Sequence, residues 1–191
     1  MLCLRVQRVL AVSEKILVAY ASRSGSTAGV AQAIGQVLVE SGAQVVVLPV
    51  QAVTDLAPYR AVVTGSAVQG GKWLPEAMQF IQTHQAALTR LPCAMFTVCM
   101  TLAISNGKYR QEVATWLEPV RQLVHPVSEG LFAGMLDISQ VPSFSDRLKF
   151  HLSVAMGVWT EGDQRDWEAI REWAAGLRSR LVRGGGKANS Q

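Results

Sequence analysis

The sequence predicts an α/β protein in which helices cover both faces of a parallel β-sheet. Five short apolar runs, each long enough for one buried strand, recur along the 191 residues, and the segments between them carry apolar residues at helical spacing. Alternating strands and helices imply parallel pairing with right-handed crossovers. Because ligands of such sheets bind beyond the carboxyl ends of the strands, the turns after the first, third and fourth runs are where a site is expected.

The first strand, turn and helix carry the clearest chemistry. Residues 16–21 form the first apolar run, and helical spacing resumes with Val30, Ile34 and Val37. Between them lies a turn rich in hydroxyl groups, here named the hydroxyl loop, which consists of Ser22, Arg23, Ser24, Gly25, Ser26 and Thr27. Backbone N–H groups at the start of a helix, together with these hydroxyls, can hold a phosphate.

Two common phosphate motifs do not fit the hydroxyl loop. It lacks the lysine that the GxxxxGK[ST] motif places on a nucleoside triphosphate. The spacing of Gly25, Gly29 and Gly35 differs from that of the dinucleotide motif GxGxxG. We therefore predict a site for a terminal monophosphate. The alternative is a turn that only begins the first helix, with Ser24 or Ser26 as its N-cap.

The other apolar runs predict strands over residues 44–50, 61–66, 93–100 and 128–136. Pro119 is expected to kink or end the helix around it, and Thr160 or Asp163 to cap the last helix. The apolar faces of three helices comprise Leu74, Met78, Ile81 and Leu88; Val113, Trp116, Leu117 and Val120; and Trp167, Ile170, Trp173, Ala174, Leu177 and Leu181.

The turns after the third and fourth strands are expected to form the rest of the ligand site at the carboxyl ends of the strands. Two adjacent glycines, Gly70 and Gly71, would let the backbone approach a flat ligand closely. Trp73 either offers such a ligand a planar face or packs in the core of the next helix. Cys93 and Cys99 share a face of the fourth strand, and core packing is the expected role of both.

Composition and charge narrow the function classes. The net charge is +4, and no Lys/Arg stripe interleaved with aromatic residues favours nucleic acid. His84, His125 and His151 lack ligand spacing, so no metal is predicted. Three scattered cysteines and no apolar run of membrane-spanning length favour a cytoplasmic protein. Residues 1–14 are interpreted as an extension and 183–191 as a disordered tail, leaving one domain over 15–182.

The hydroxyl loop resembles the flavodoxin phosphate loop, [ST]-x-[ST]-G-x-T, in both residue types and position. The resemblance implies a flavodoxin-like three-layer sandwich with five strands in the order 2-1-3-4-5, and FMN as the cofactor. It implies further that the six residues of the hydroxyl loop bind the FMN phosphate. The residues expected near the isoalloxazine ring by the same resemblance are Ala67, Val68, Gln69, Gly70, Gly71, Trp73, Thr97, Val98, Cys99 and Met100.

A narrower resemblance concerns the flavodoxin-domain group that includes menaquinone-dependent protoporphyrinogen IX dehydrogenase. It rests on Arg23, on TGSAVQGGKW, LFAGML and GDQRDWEAI, and on an insertion at residues 137–160 near the last strand. The chain departs from that group's aromatic and basic run at the flavin turn, where it has Gln69, Gly70 and Lys72. This difference affects the expected substrate more than it affects the expected binding of FMN.

The insertion predicts an amphipathic helix. Its apolar stripe includes the four residues expected to meet a substrate or partner, Phe144, Leu148, Leu152 and Trp159. Arg147, Lys149 and His151 lie near its start. The stripe could cover a hydrophobic substrate, lie on a membrane surface, or pack against the edge of the sheet.

The sequence is compatible with three functions. The first is an FMN oxidoreductase that acts on a porphyrinogen with quinone as acceptor, in which the flavin carries the chemistry and no catalytic side chain is assigned. The second is a flavodoxin-type electron carrier that docks on a redox partner protein, although the positive net charge disfavours the acidic docking surface of such carriers. The third is a flavodoxin-like module without cofactor, which the intact hydroxyl loop disfavours.

Overall fold

A computed structural model of the chain describes residues 15–104, 107–140, 144–157 and 160–183. The predicted N-terminal extension, residues 184–191 of the predicted tail, Trp159 and the side chain of Phe144 lie outside the described part. Arg183 is the last residue of the final helix, so the helix continues one residue past the predicted end of the domain.

Five parallel strands form the main sheet. They are β1 (Lys15–Ala21), β2 (Gln44–Pro49), β3 (Ala61–Gln69), β5 (Cys93–Val98) and β6 (Ser128–Phe132). A two-residue strand, β4 (Lys72–Trp73), pairs antiparallel with the end of β3. The order β2-β1-β3-β5-β6 is the predicted order of the five parallel strands, and β4 is an addition that the sequence did not predict.

Strand β1 is buried on both faces of the sheet. Its residues Ile16, Leu17, Val18 and Ala19 are all 0% exposed, as expected for a strand buried on both faces. Ile16 and Val18 belong to one core cluster, and Leu17 and Ala19 belong to the cluster on the opposite face. This alternation is the period of two that a β-strand imposes on its side chains.

The helices form the outer two layers. Helices α1 (Ser26–Glu40) and α7 (Trp167–Arg183) cover one face of the sheet. Helices α2 (Pro75–Thr83), α3 (Gln85–Leu88) and α5 (Glu118–Arg121) lie over the other face. Helix α4 (Gly107–Thr115) contributes Val113 to a smaller cluster with Cys99 and Leu117. The predicted break at Pro119 is confirmed, because Pro119 lies in the first turn of α5.

The predicted last strand is shorter than expected. Strand β6 ends at Phe132, and the chain turns at Ala133 and Gly134 before it enters β7 (Met135–Leu136). Strand β7 pairs antiparallel with β8 (Gly162–Asp163), and the two form a ribbon outside the main sheet. Most of the predicted insertion therefore extends from the far end of this ribbon, with a 3-10 turn at Ile138–Gln140 and helix α6 (Phe144–Ala155).

The start of helix α7 corrects the predicted cap. The Asp166 carboxylate accepts the Ala169 N–H at 2.9 Å, which is the geometry of an N-cap. Asp163 lies too far upstream to cap the helix and instead pairs with Arg165. The start of α1 carries no side-chain cap at all, so neither Ser24 nor Ser26 has the role that the alternative interpretation gave it.

Candidate functional site

Three segments meet at the carboxyl end of the sheet. They are the hydroxyl loop after β1, the end of β5, and the turn between β6 and β7. A methyl group placed on Gly134 would lie 3.4 Å from both Ser26 Oγ and Val98 Cγ1, and 3.6 Å from Met100 Sδ. The turn after β6 therefore packs directly against the hydroxyl loop, a contact between residues more than a hundred positions apart in the chain.

The hydroxyl loop presents two kinds of side chain. Arg23, Ser24 and Gly25 are exposed, whereas Ser26 and Thr27 are 7% and 1% exposed. Among the described residues, Ser22 Oγ is buried and has no hydrogen-bond partner, and the same is true of Arg60 Nε and Thr64 Oγ1. A buried hydroxyl without a partner is costly, so the Ser22 hydroxyl would gain a hydrogen bond from a polar ligand that reaches the loop.

The Ser26 hydroxyl contributes to the structure of the loop. Its oxygen accepts the Met135 N–H at 2.9 Å, which fixes the side chain toward the β7–β8 ribbon. A hydroxyl that accepts one hydrogen bond still has its own proton to donate.

The backbone of the loop is arranged for an anion. Gly25 has a φ of 81°, a left-handed conformation that glycine adopts without strain and that turns the chain into α1. The first N–H groups of α1 have no acceptor inside the helix, and the first turn of α1 contains no acidic residue. The nearby acid of α2, Glu76, pairs with Arg23 at 3.3 Å. The residues present therefore fit the phosphate end of FMN.

The turn after β3 is built as a tight hairpin. Gly70 and Gly71 have φ values of 58° and 72° and connect the paired residues Gln69 and Lys72. Two consecutive residues with positive φ define the type I′ turn that antiparallel hairpins prefer. The adjacent glycines thus have a structural role that the sequence interpretation missed. Ala67 and Val68 are half-buried, whereas Gln69 and Gly70 are exposed at the tip.

Trp73 does not lie where a ring platform was expected. It is 3% exposed and belongs to the core cluster under α2. Its indole N–H donates to the buried Thr97 hydroxyl at 2.9 Å. The Trp73 ring consequently has no free face at the surface, and the hydroxyl of Thr97 is turned into the core. The core alternative for Trp73 is the correct one.

The other tryptophan of this region lies closer to the hairpin tip. The Trp116 indole is half-buried between α4 and α5, and a methyl group on Gly71 would lie 3.4 Å from its Nε1. Trp116 was expected only on the apolar face of a helix. No local pattern in the sequence distinguishes it from Trp73, because its position depends on how α4 packs against β6 and the turn after β5.

The end of β5 is tightly packed. Val98 and Cys99 are 3% and 8% exposed, and Met100 is half-buried. Burial raises the pKa of the Cys99 thiol, and it raises the pKa of Cys93 to about 12. Neither thiol is therefore ionised near neutral pH, which agrees with the core packing expected of both.

Two further site residues, Arg165 and Asp163, lie at the base of the insertion. Arg165 is held by Asp163, and one of its guanidinium N–H groups donates to the Ser26 carbonyl oxygen at 3.3 Å. The hydrogen bonds from Arg165 hold the pKa of Asp163 below its usual range. No local sequence pattern indicates this contact, since it joins residues 139 positions apart.

Helix α6 carries an unusual surface. Leu148, Leu152 and Met156 are 62%, 59% and 63% exposed, and their spacing of four residues places them on one side of the helix. The other exposed large apolar residues in the described part of the chain are Val39 and Val182, which lie singly on α1 and α7. The alternative in which this stripe packs against the sheet edge is therefore wrong for these residues.

Within the residues that the structure describes, no helix is both long and apolar enough to span a bilayer.

Comparison with known proteins places the fold. The chain is similar to a flavodoxin from the domain Archaea, with 19% identity and a TM-score of 0.52 over 88% of this chain and 99% of that one. It is similar to Megasphaera elsdenii flavodoxin, with 13% identity and a TM-score of 0.52 over 84% and 98% of the two chains. It also resembles part of the flavodiiron protein from Giardia intestinalis, with 14% identity and a TM-score of 0.55 over 91% of this chain and 37% of that one.

No curated protein matches the chain. The model of the flavodoxin domain family, by contrast, matches residues 17–165, which include the hydroxyl loop, the parallel sheet except for the first two residues of β1, and the β7–β8 ribbon. The chain therefore belongs to the flavodoxin domain family, whose homologues bind FMN and transfer electrons.

Proposed function

We propose that the protein is an FMN-dependent oxidoreductase that acts on a hydrophobic substrate. Its activity would be similar to that of protoporphyrinogen IX dehydrogenase, with a quinone as the electron acceptor. The observation that carries the proposal is the exposed stripe of Leu148, Leu152 and Met156, on an insertion whose base contacts the hydroxyl loop. A carrier that docks only on polar partner proteins has no use for such a stripe.

We assign the FMN phosphate to the hydroxyl loop and the ring to the tips of the two neighbouring loops. The buried Ser22 hydroxyl, the Ser24 side chain and the first N–H groups of α1 would hold the phosphate. The backbone from Ala67 to Gly71 and the segment from Val98 to Met100 would border the ring. When bound, FMN supplies the oxidation and reduction chemistry.

The protein's own residues orient the cofactor and exclude water. The Ser26 side chain is fixed by the Met135 N–H, so the loop is organised before any ligand arrives. Val98 and Cys99 are buried, and Val98 lies against Gly134, so apolar atoms would border this part of the site. Each two-electron step removes two hydrogens from the porphyrinogen and converts one quinone to its quinol.

The stripe on α6 is assigned to the surface of an anionic bilayer, where a hydrophobic quinone is dissolved. Arg147, Lys149 and His151 occupy the same helix, and the chain as a whole is positively charged at +4. An apolar stripe flanked by basic residues is the pattern of a helix that lies in the membrane interface.

Activity is tested with the purified FMN-loaded protein, protoporphyrinogen IX and a menaquinone analogue under anaerobic conditions, with porphyrin fluorescence as the readout. The matched variants are Leu148→Ser/Leu152→Ser and the control Val39→Ser, which changes an exposed apolar residue on α1. We expect the double variant to lose turnover with quinone in vesicles but to keep turnover with ferricyanide, a small polar acceptor. Equal loss with both acceptors would show that the stripe only supports the fold, and absence of turnover in the unmodified protein would favour the electron-carrier function.

Membrane contact is tested separately by flotation with vesicles. We expect the protein to bind vesicles that contain phosphatidylglycerol more than vesicles of phosphatidylcholine alone, and the double variant to lose that binding while Val39→Ser keeps it. Retention of binding by the double variant would contradict the assignment of α6.

A further inference from the structure

The base of the insertion reaches the hydroxyl loop through the side chain of Arg165. This guanidinium is only 12% exposed, although it belongs to the short turn between β8 and α7. Two hydrogen bonds of 2.7 Å join its Nε and one terminal nitrogen to the two carboxylate oxygens of Asp163. Its Cζ lies 4.3 Å from the centre of the Trp167 ring. A side chain held by a bidentate pair on one edge and an aromatic ring on its face has little conformational freedom.

The free edge of this guanidinium meets the start of α1. Its Nη1 donates to the Ser26 carbonyl oxygen at 3.3 Å, and its Nη2 lies 3.8 Å from Met135 Sδ. A Cβ on Gly29 would lie 2.6 Å from Nη1, so a larger residue at that position would require the guanidinium to move from this place. Arg165 therefore contacts the first turn of the helix that follows the hydroxyl loop.

Ser26 is held from two sides by the same ribbon. Met135, in β7, donates its N–H to the Ser26 side chain, and Arg165, just after β8, donates to the Ser26 main chain. The Ser26 C=O and the Thr27 N–H belong to one planar peptide unit and point in opposite directions. A donor that fixes the carbonyl consequently fixes the direction of the Thr27 N–H, which has no acceptor inside the helix.

We propose that Arg165 is a positioning residue for the phosphate of the cofactor, which acts by orienting the Ser26–Thr27 peptide unit. The inference rests on the proposed assignment of the FMN phosphate to the hydroxyl loop. Because Asp163 neutralises the guanidinium, the effect depends on geometry and not on charge attraction to the phosphate. A hydrogen bond to the carbonyl also polarises the peptide unit and makes its N–H a stronger donor.

The experiment compares the affinity of the protein for FMN and for riboflavin, which differs from FMN by the absence of the phosphate. Flavin-free protein is titrated with each flavin, with quenching of flavin fluorescence as the readout. The variants are Arg165→Met, Arg165→Lys and Asp163→Asn, and the control is Arg171→Met, which removes an exposed arginine on α7. Circular dichroism and the melting temperature establish that each variant is folded.

We expect Arg165→Met to weaken FMN binding about tenfold and to leave riboflavin binding unchanged. Asp163→Asn should act in the same direction, because it releases the guanidinium. Arg165→Lys should not restore FMN affinity, since an ammonium group cannot pair with both carboxylate oxygens and reach the Ser26 carbonyl as well. Arg171→Met should bind both flavins as the unmodified protein does.

Other outcomes would overturn the inference. A parallel loss of FMN and riboflavin affinity in Arg165→Met would mean that the residue only supports the fold. Full recovery in Arg165→Lys would mean that charge, and not orientation, is responsible. If the unmodified protein binds FMN and riboflavin equally, the assignment of the phosphate to the hydroxyl loop is wrong. If the unmodified protein prefers FMN but Arg165→Met leaves this preference unchanged, the phosphate assignment stands and the role of Arg165 is wrong.

Discussion

At the scale of single residues, the Ser22 hydroxyl is the feature that most directly indicates a ligand. Its oxygen is buried without a partner in the described part of the chain, and it lies in the loop that leads into α1, whose first N–H groups have no acceptor inside the helix. Such an atom destabilises the protein without ligand and contributes to binding when a ligand arrives.

Substitution of this residue has two expected effects. In Ser22→Ala, the affinity for FMN should fall by about 1–3 kcal/mol, because a hydrogen bond to a charged group is lost. The stability of the flavin-free protein should stay the same or rise, because the unpaired hydroxyl is removed. Fluorescence titration and urea unfolding measure the two quantities. A variant that is destabilised without flavin but binds FMN normally would contradict the account.

The buried thiol of Cys93 predicts a pH dependence of stability. Burial raises its pKa in the folded protein to about 12, whereas an unfolded thiol ionises near ~8.5. The contribution of a group with a raised pKa is fully present below the unfolded value and is lost as the pH rises toward the folded value. Above about pH 8.5 the free energy of unfolding should therefore fall by up to about 1.4 kcal/mol per pH unit from this group.

Urea unfolding of the native protein and of Cys93→Ala between pH 7 and pH 10 checks this dependence. We expect any advantage of the native protein over Cys93→Ala to shrink with increasing pH. If the two free energies of unfolding keep a constant difference over that range, the thiol is not responsible for the fall.

At the scale of elements, local patterns predicted most of the structure, and long-range contacts explain the rest. Apolar side chains recur with a period of two in β1 and of 3.6 in α1 and α7, and these patterns depend only on residues close together in the sequence. These elements were therefore predictable. The early end of β6 was not, because it depends on Gly134 packing against Ser26 and on the Met135 N–H reaching the Ser26 hydroxyl.

The same distinction holds within the site. The hydroxyl loop was predicted to be a phosphate site from six consecutive residues. The two tryptophans were not distinguished, because the burial of Trp73 depends on the distant Thr97 hydroxyl and the position of Trp116 depends on the path of α4. Arg165 was missed for the same reason, since its partner Ser26 lies 139 residues earlier.

The ribbon and helix α6 have separable roles, which a replacement can test. The ribbon residues Met135 and Asp163 are kept, and residues 139–160 are replaced with a short glycine-containing turn. FMN affinity should be nearly unchanged, because the contacts to Ser26 remain, whereas binding to anionic vesicles should be lost with the exposed stripe. Flavin titration and vesicle flotation measure the two properties.

A loss of FMN affinity as large as the loss of vesicle binding would show that the insertion contributes to the cofactor site directly. The matched control deletes nothing and changes only Leu148 and Leu152 to serine, so that a defect caused by the shortened chain is recognised.

At the scale of the whole molecule, the sheet order determines where the site can form. Strand β1 lies between β2 and β3, and the chain crosses from one side of β1 to the other after β2. At this reversal the hydroxyl loop leaves the sheet beside the loops of β3 and β5, which is where ligands of open α/β sheets bind. The insertion extends from the β7–β8 ribbon, and this ribbon region contacts the hydroxyl loop through Met135 and Arg165.

The proposed function depends on the binding of the FMN phosphate by the hydroxyl loop. The most direct test is the ratio of the dissociation constants of the unmodified protein for riboflavin and for FMN, measured by fluorescence titration in one buffer without inorganic phosphate. We expect FMN to bind at least about tenfold more tightly than riboflavin, because only FMN has a phosphate that can accept hydrogen bonds from the Ser22 hydroxyl and the N–H groups of α1. Equal dissociation constants for the two flavins would contradict the account.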